Sequence, residues 1–175
     1  MEEIPDPVFS EGILGKGCGL EPAEETVCAP FNGTVTQVID TKHAVGVTSK
    51  DGLELLIHVG MDTVAMNGEG FTCLVKEGDT VKLGQKLMTF SMEAIKAAGH
   101  PATTAVVVTN ADDFADIQVL AQGEIAQGAP LLKASKYCPD TERQLRTIAP
   151  ADLSGSFAPF LQFQKRQNIP PFLKR

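Results

Sequence analysis

Between residues 27 and 133 the chain is a succession of short β-branched runs separated by Gly, Asn and Asp. They are Gly33-Thr34-Val35-Thr36-Gln37-Val38-Ile39, Ala44–Thr48, Leu53–Val59, Phe71–Val75 and Val106–Thr109. Runs of this length and spacing predict an all-β fold, an antiparallel β-sandwich or barrel with short helical segments. Two stretches read as helical. Met92–Ala98 is opened by Ser91 as an N-cap and closed by Gly99, and a weaker turn lies around Ala111–Asp116. The stretches Lys76–Gln85 and Ala121–Pro130 each set two glycines five or six residues apart around a short extended run, which predicts turns that fold the chain back on itself. Lipoyl and biotin carriers use similar turns, but they need a Met-Lys pair, and none occurs here. After Ala134 the period is lost among Pro139, Pro150, Pro159, Pro170 and Pro171. The expected organisation is one domain over residues 1–134 and an extended or disordered basic tail over 135–175. No clean amphipathic period favours a membrane-surface role for that tail.

Composition supports a single core. A chain of 175 residues fills one domain, and its 43% apolar content rests on Val, Leu, Ile and Ala, because aromatics are 6% and Trp is absent. A net charge of −7 disfavours nucleic acid as a partner. The charge is uneven: residues 1–135 hold eight Lys and Arg against nineteen Asp and Glu, and residues 136–175 hold seven against three. Cys18, Cys28, Cys73 and Cys138 are scattered without a CxxC pair or a neighbouring His at zinc-ligand spacing, so reduced structural thiols are expected, with no metal and no cofactor. The acidic N-terminus and the lack of a bilayer-length apolar run lead to the expectation of a cytoplasmic protein.

Two of the three histidines fall in the most strand-like part of the chain, His43 in Thr41-Lys42-His43-Ala44-Val45 and His58 in Leu55-Leu56-Ile57-His58-Val59-Gly60-Met61-Asp62-Thr63. The turn signal Ser49-Lys50-Asp51-Gly52 lies between them. If Thr48 pairs with Leu53 across a four-residue loop, His43 stands directly opposite His58. If Asp51-Gly52 is a two-residue turn, the two become diagonal neighbours on one face. Only an odd loop would separate them. Alternation then adds Ile39, Thr41, Val45, Val47 and Leu56 to that face, an apolar floor carrying two imidazoles and a hydroxyl. A neutral imidazole is a good nucleophile at pH 7, and a second beside it can donate a hydrogen bond to a phosphoryl oxygen without a metal. An apolar rim shields a labile P–N bond from water. His100, in a loop, is asked for nothing beyond solubility.

At these residues the chain resembles the glucose-family enzyme IIA of the bacterial sugar phosphotransferase system. The resemblance rests on Ala29-Pro30-Phe31-Asn32-Gly33-Thr34-Val35, on Thr41-Lys42-His43-Ala44, and above all on His58-Val59-Gly60-Met61-Asp62-Thr63-Val64 followed by Asn67-Gly68-Glu69-Gly70-Phe71. It begins at Asp6-Pro7-Val8-Phe9-Ser10, continues through Glu77-Gly78-Asp79, Val81–Gln85 and Val106–Asn110, and covers about residues 4–134. It implies a β-sandwich phosphotransferase component that takes a phosphoryl group from the phosphohistidine of HPr and passes it to a cysteine of an enzyme IIB domain. By position His58 is the phosphoryl acceptor, His43 the residue that contacts the phosphoryl group, and Thr41 the residue that orients His43. The second ring nitrogen of His58 is expected to be held by a main-chain carbonyl near Gly60. Asp62, Lys16, Ile39, Val45 and Leu56 are the expected partner-binding residues. The domain would reach the membrane only peripherally, through the sugar permease.

The sequence departs from the family where Gly15-Lys16-Gly17 replaces the usual Gly-Asp-Gly, which implies slower or altered docking with HPr. Ile39 and Leu56 stand where relatives often carry Phe. Two other functions compete. One is a regulatory module of the same fold, phosphorylated on His58 but acting by binding a transporter or other proteins. The other is a zinc peptidase of related architecture, disfavoured by the absence of a His-x-His pair.

Overall fold

The computed structural model describes residues 15–137 apart from 122 and 127. Cys138, the motif Asp6–Ser10 and all but the first three residues of the expected tail therefore lie outside the described residues. Within them the chain runs through β1 (Lys16–Leu20), β2 (Thr26–Cys28), β3 (Gly33–Val38), β4 (Ala44–Ser49), β5 (Glu54–His58), β6 (Phe71–Cys73), β7 (Thr80–Val81), β8 (Lys86–Phe90), the helix α1 (Met92–Ala97), β9 (Thr104–Val108), β10 (Asp116–Val119) and β11 (Leu132–Ser135). Short 3-10 turns cover Thr63–Met66 and Ala111–Asp113.

The strands build the expected antiparallel β-sandwich. A six-stranded sheet has the order β1-β9-β5-β4-β3-β7, a three-stranded sheet the order β2-β8-β6, and β10 pairs with β11. The inward face of the large sheet presents Val35, Val45, Val47, Leu55, Ile57, Val106 and Val108, which share one buried cluster with Val27, Phe71, Leu87, Met88 and Phe90 of the small sheet. That cluster is aliphatic for the most part, as the composition requires. The central strands β4 and β9 are covered on both faces, so they read as apolar runs rather than alternations.

The helix begins as its cap residue dictates. Ser91 is extended and its hydroxyl accepts from the Ala94 N–H, satisfying a donor that the first helical turn leaves unpaired. Gly99, with φ of 83°, ends it. The loop 76–85 turns back on itself as expected, with Asp79 Oδ2 accepting from the Lys76 N–H. The last strand, β11, runs through Ser135, one residue beyond the expected boundary of the domain.

The hairpin between the histidines takes neither expected register. Ala44 pairs with His58, Val45 with Ile57 and Thr48 with Glu54, which is the odd register. The cause is the turn. Ser49 and Leu53 are linked by a main-chain bond of 2.9 Å, leaving a three-residue loop, Lys50–Gly52, in which Gly52 takes φ of 84°. Three-residue hairpin loops close with a glycine in this left-handed region. As a result Val45 and Val47 belong to the core, each 0% exposed, and neither shares a face with His58. Leu56 does, with Ala44 and Gly46 opposite that face's positions on β4.

Candidate functional site

Despite the odd register, the two histidines meet. Their ring centroids are 4.6 Å apart and the rings are edge-on at 74°. Alternation fails to predict this because His43 precedes β4. It follows Lys42, whose φ of 57° is left-handed, in a turn closed by a 2.7 Å bond from the Lys42 N–H to the Ile39 carbonyl. His58 is the last residue of β5. The pair therefore forms at the end of the sheet, where strand geometry no longer sets side-chain direction. A main-chain bond from the Val59 N–H to the His43 carbonyl, 2.8 Å, ties the two strand ends together.

Each ring is held through Nδ1. His58 Nδ1 lies 2.8 Å from the Gly60 carbonyl oxygen. A carbonyl only accepts, so Nδ1 carries the hydrogen and the lone pair falls on Nε2 of the neutral ring. His43 Nδ1 lies 2.6 Å from Thr41 Oγ1. When the hydroxyl donates, the His43 hydrogen sits on Nε2, where it can be offered to an anion. His43 is buried, with its ring centroid 6.5 Å from that of Phe71. Burial first, and the His58 charge second, push its pKa down to about 4, so the ring is neutral near pH 7. His58 is half-buried.

The other expected residues divide. Thr41 sits beside His43. Ile39 and Leu56 are half-buried, and Asp62 is exposed at the start of the 3-10 turn that follows His58. Val45 is excluded, because it is sealed in the core. Lys16 is exposed but remote: it pairs with Val108 at the far end of β9, whereas His58 pairs with Ala105. Three residues along the strand and two strand spacings across make roughly 14 Å. Leu56 also borders a shallow groove with Thr36, Gln37, Gly46, Glu54, Glu77 and Thr109.

Sequence reasoning left Phe71, Thr63 and Val64 without roles. Phe71 packs against His43, Thr63 is fully buried in the His58 loop, and Val64 is 55% exposed beside Asp62. Asp62 and Asn67 join Lys42 as non-glycine residues with positive φ. All three lie in the loops carrying the pair; Asp and Asn enter this region readily, so only Lys42 is strained there. Those loops also touch, since a Cβ on Gly68 would lie 3.4 Å from the Thr41 carbonyl oxygen. Cys18, Cys28 and Cys73 are free, and burial raises the Cys18 thiol to about 11. Among the described residues no helix is long and apolar enough to cross a membrane.

The chain is similar to known proteins over about three quarters of its length. The chain is 43% identical over 136 residues to the glucose-specific EIIA component of Halalkalibacterium halodurans, covering 78% of this chain and 79% of that one. It is 45% identical over 135 residues to the beta-glucoside-specific EIIBCA component of Bacillus subtilis, covering 77% of this chain but only 22% of that longer protein. The glucose permease IIA structure from Mycoplasma capricolum superimposes with a TM-score of 0.66 at 30% identity, over 75% of this chain and 84% of that one. The family described as phosphoenolpyruvate-dependent sugar phosphotransferase system, EIIA 1, matches residues 1–114, and the chain belongs to that family.

Proposed function

We propose that this domain is a phosphoryl relay in sugar uptake, with Nε2 of His58 as the atom that carries the group. The observation that supports the reading is the orientation of the pair: the Gly60 carbonyl holds the Nδ1 hydrogen of His58, and the edge of His43 stands 4.6 Å away, centroid to centroid. The Nε2 lone pair attacks phosphorus on the phosphohistidine of HPr, and the donor's P–N bond breaks with its electron pair returning to the donor ring. Each ring keeps its N–H, so no proton needs to move. Charge on the transferring oxygens is met by the Nε2 hydrogen of neutral His43, in a site dry enough to strengthen that bond. In the second step a cysteine thiolate of a IIB domain attacks phosphorus, and His58 recovers its lone pair.

Asp62, Ile39, Leu56 and the exposed Val64 form the rim on which HPr and the IIB domain dock in turn. The reading makes the domain cytoplasmic and peripheral to a membrane permease, in keeping with the fused EIIBCA architecture of its B. subtilis relative.

The test is incubation with phosphorylated HPr, followed by a search for acid-labile, base-stable label. Wild type is expected to take label on His58 and His58→Ala to take none; an unlabelled wild type sinks the reading. Adding a IIB domain then separates relay from regulator, because only a relay passes the label on. His43→Ala is expected to retain acceptance and to impair onward transfer.

A further inference from the structure

We infer that Thr63 is a positioning residue that sets the tautomer of His58 by fixing the main-chain loop Val59–Gly60–Met61. The inference rests on the relay reading only for its consequence in phosphoryl transfer.

The Gly60 carbonyl can hold the Nδ1 hydrogen of His58 only if its peptide plane is turned toward the ring. A trans peptide is planar, so its N–H and C=O point in opposite directions, and fixing one fixes the other. The Met61 N–H donates to the Pro101 carbonyl at 3.0 Å, which sets the plane between Gly60 and Met61. The preceding plane, between Val59 and Gly60, is set by the Thr63 hydroxyl, which donates to the Val59 carbonyl at 2.7 Å. Those two planes together fix φ and ψ of Gly60. Its φ of 74° lies in the region that side-chain-bearing residues rarely enter. A Cβ there would come within 2.4 Å of Thr63 Cγ2, so the methyl of Thr63 occupies the space that the missing side chain leaves.

Thr63 is thus used twice, through its hydroxyl and through its methyl, and it is 0% exposed. The Pro101 carbonyl and the His43 carbonyl that receives the Val59 N–H are main-chain groups that no substitution removes. Among the described residues Thr63 is the side-chain anchor of this loop that a mutation can delete. Without its hydroxyl the buried Val59 carbonyl loses its partner and the first plane is free to rotate. The Gly60 carbonyl is then held from one side only, by the bond from the Met61 N–H to the Pro101 carbonyl. As its hold on Nδ1 loosens, the ring shifts toward the Nε2–H tautomer that free imidazole side chains favour, which places the lone pair on Nδ1 instead of Nε2.

The test is nitrogen-15 NMR of the imidazole rings in the unphosphorylated protein, with no partner present. Wild type and Thr63→Ser, which keeps the hydroxyl, are expected to show His58 as Nδ1–H. Thr63→Val, which keeps both branches but not the donor, is expected to show Nε2–H and at least tenfold slower labelling by phosphorylated HPr. A Thr63→Val protein that folds and retains Nδ1–H overturns the inference. Should Thr63→Val fail to fold, Thr63→Ser decides, because Nε2–H in that variant shows that the hydroxyl does not set the tautomer. A wild type that shows Nδ1–H but takes no label leaves this inference standing and removes the relay.

Discussion

His43 carries a titration that stability measurements can read. Its folded pKa is about 4 against an ordinary 6.5, because burial and the neighbouring His58 disfavour the charged ring. In the window between those values the unfolded chain has taken a proton that the folded chain refuses, so folding weakens as pH falls. Above about pH 6.5 the ring costs nothing. Below about pH 4 the cost has levelled off, at about 3 kcal/mol by the usual conversion of a pKa difference into free energy. Urea midpoints measured from pH 7 to 4 are expected to fall more steeply for wild type than for His43→Gln, and parallel curves would refute the assignment. Next to it in the chain, Lys42 holds φ of 57° on an exposed turn. Asn tolerates that region better than an unbranched long side chain does. Lys42→Asn is expected to raise stability by about 0.5 kcal/mol, the size of a modest relief of backbone strain, seen as a higher urea midpoint with labelling of His58 unchanged.

At the scale of elements, the odd register of the β4–β5 hairpin gives two neighbouring positions opposite characters. Val45 and Leu56 were both expected on the binding rim, yet Val45 is 0% exposed and Leu56 is half-buried on the face that His58 shares. Val45→Ala should cost about 2 kcal/mol of stability, a typical loss for trimming a sealed aliphatic side chain, while leaving the labelling rate of the folded fraction near wild type. Leu56→Ala should cost less than about 1 kcal/mol, since its environment is only partly closed, and should slow labelling by phosphorylated HPr; the opposite pairing of effects would mean that the register is wrong. These residues also show what a sequence can and cannot convey. Five of the strands, β3 to β6 and β9, and the Ser91-capped helix were legible, because β-branched runs and cap chemistry act locally; the two histidines were expected as neighbours, but through a hairpin register that the structure does not have. Which face each hairpin residue takes was not legible, since it turns on whether Gly52 closes a two-, three- or four-residue loop, and Ser49-Lys50-Asp51-Gly52 admits all of these. The histidines meet for a reason invisible to alternation: both lie at strand ends, where Lys42 and Gly60 bend the chain. Thr63 was equally hidden, because its hydroxyl acts on a main-chain group whose direction only the folded loop defines.

Across the whole molecule, charge governs encounter while the histidine pair governs chemistry, and Lys16 shows how far apart the two can lie. A net charge of −7 gives the chain an attractive field for a basic partner, and a lysine in place of the family's usual aspartate reduces that attraction locally. Lys16 is nonetheless roughly 14 Å from His58 by strand spacings, and the register puts it on the other face of the sheet, so its influence on a docked partner is long-range only. In water, two charges at that separation interact by only about 0.3 kcal/mol. Reversing the sign at this position doubles the change, which corresponds to a factor of about 3 in rate at most. Salt removes most of it, since the screening length at physiological ionic strength is about 8 Å. Lys16→Asp is therefore expected to speed the second-order labelling of His58 by phosphorylated HPr by up to about threefold at ~0.01 M salt, where screening reaches ~30 Å, and to leave it unchanged at ~0.15 M. The first-order passage of label to a IIB domain within a formed complex should not move at either salt. A faster rate that persists at high salt would mean that Lys16 touches the partner directly, and no acceleration at low salt would show that the replaced aspartate contributed nothing to encounter.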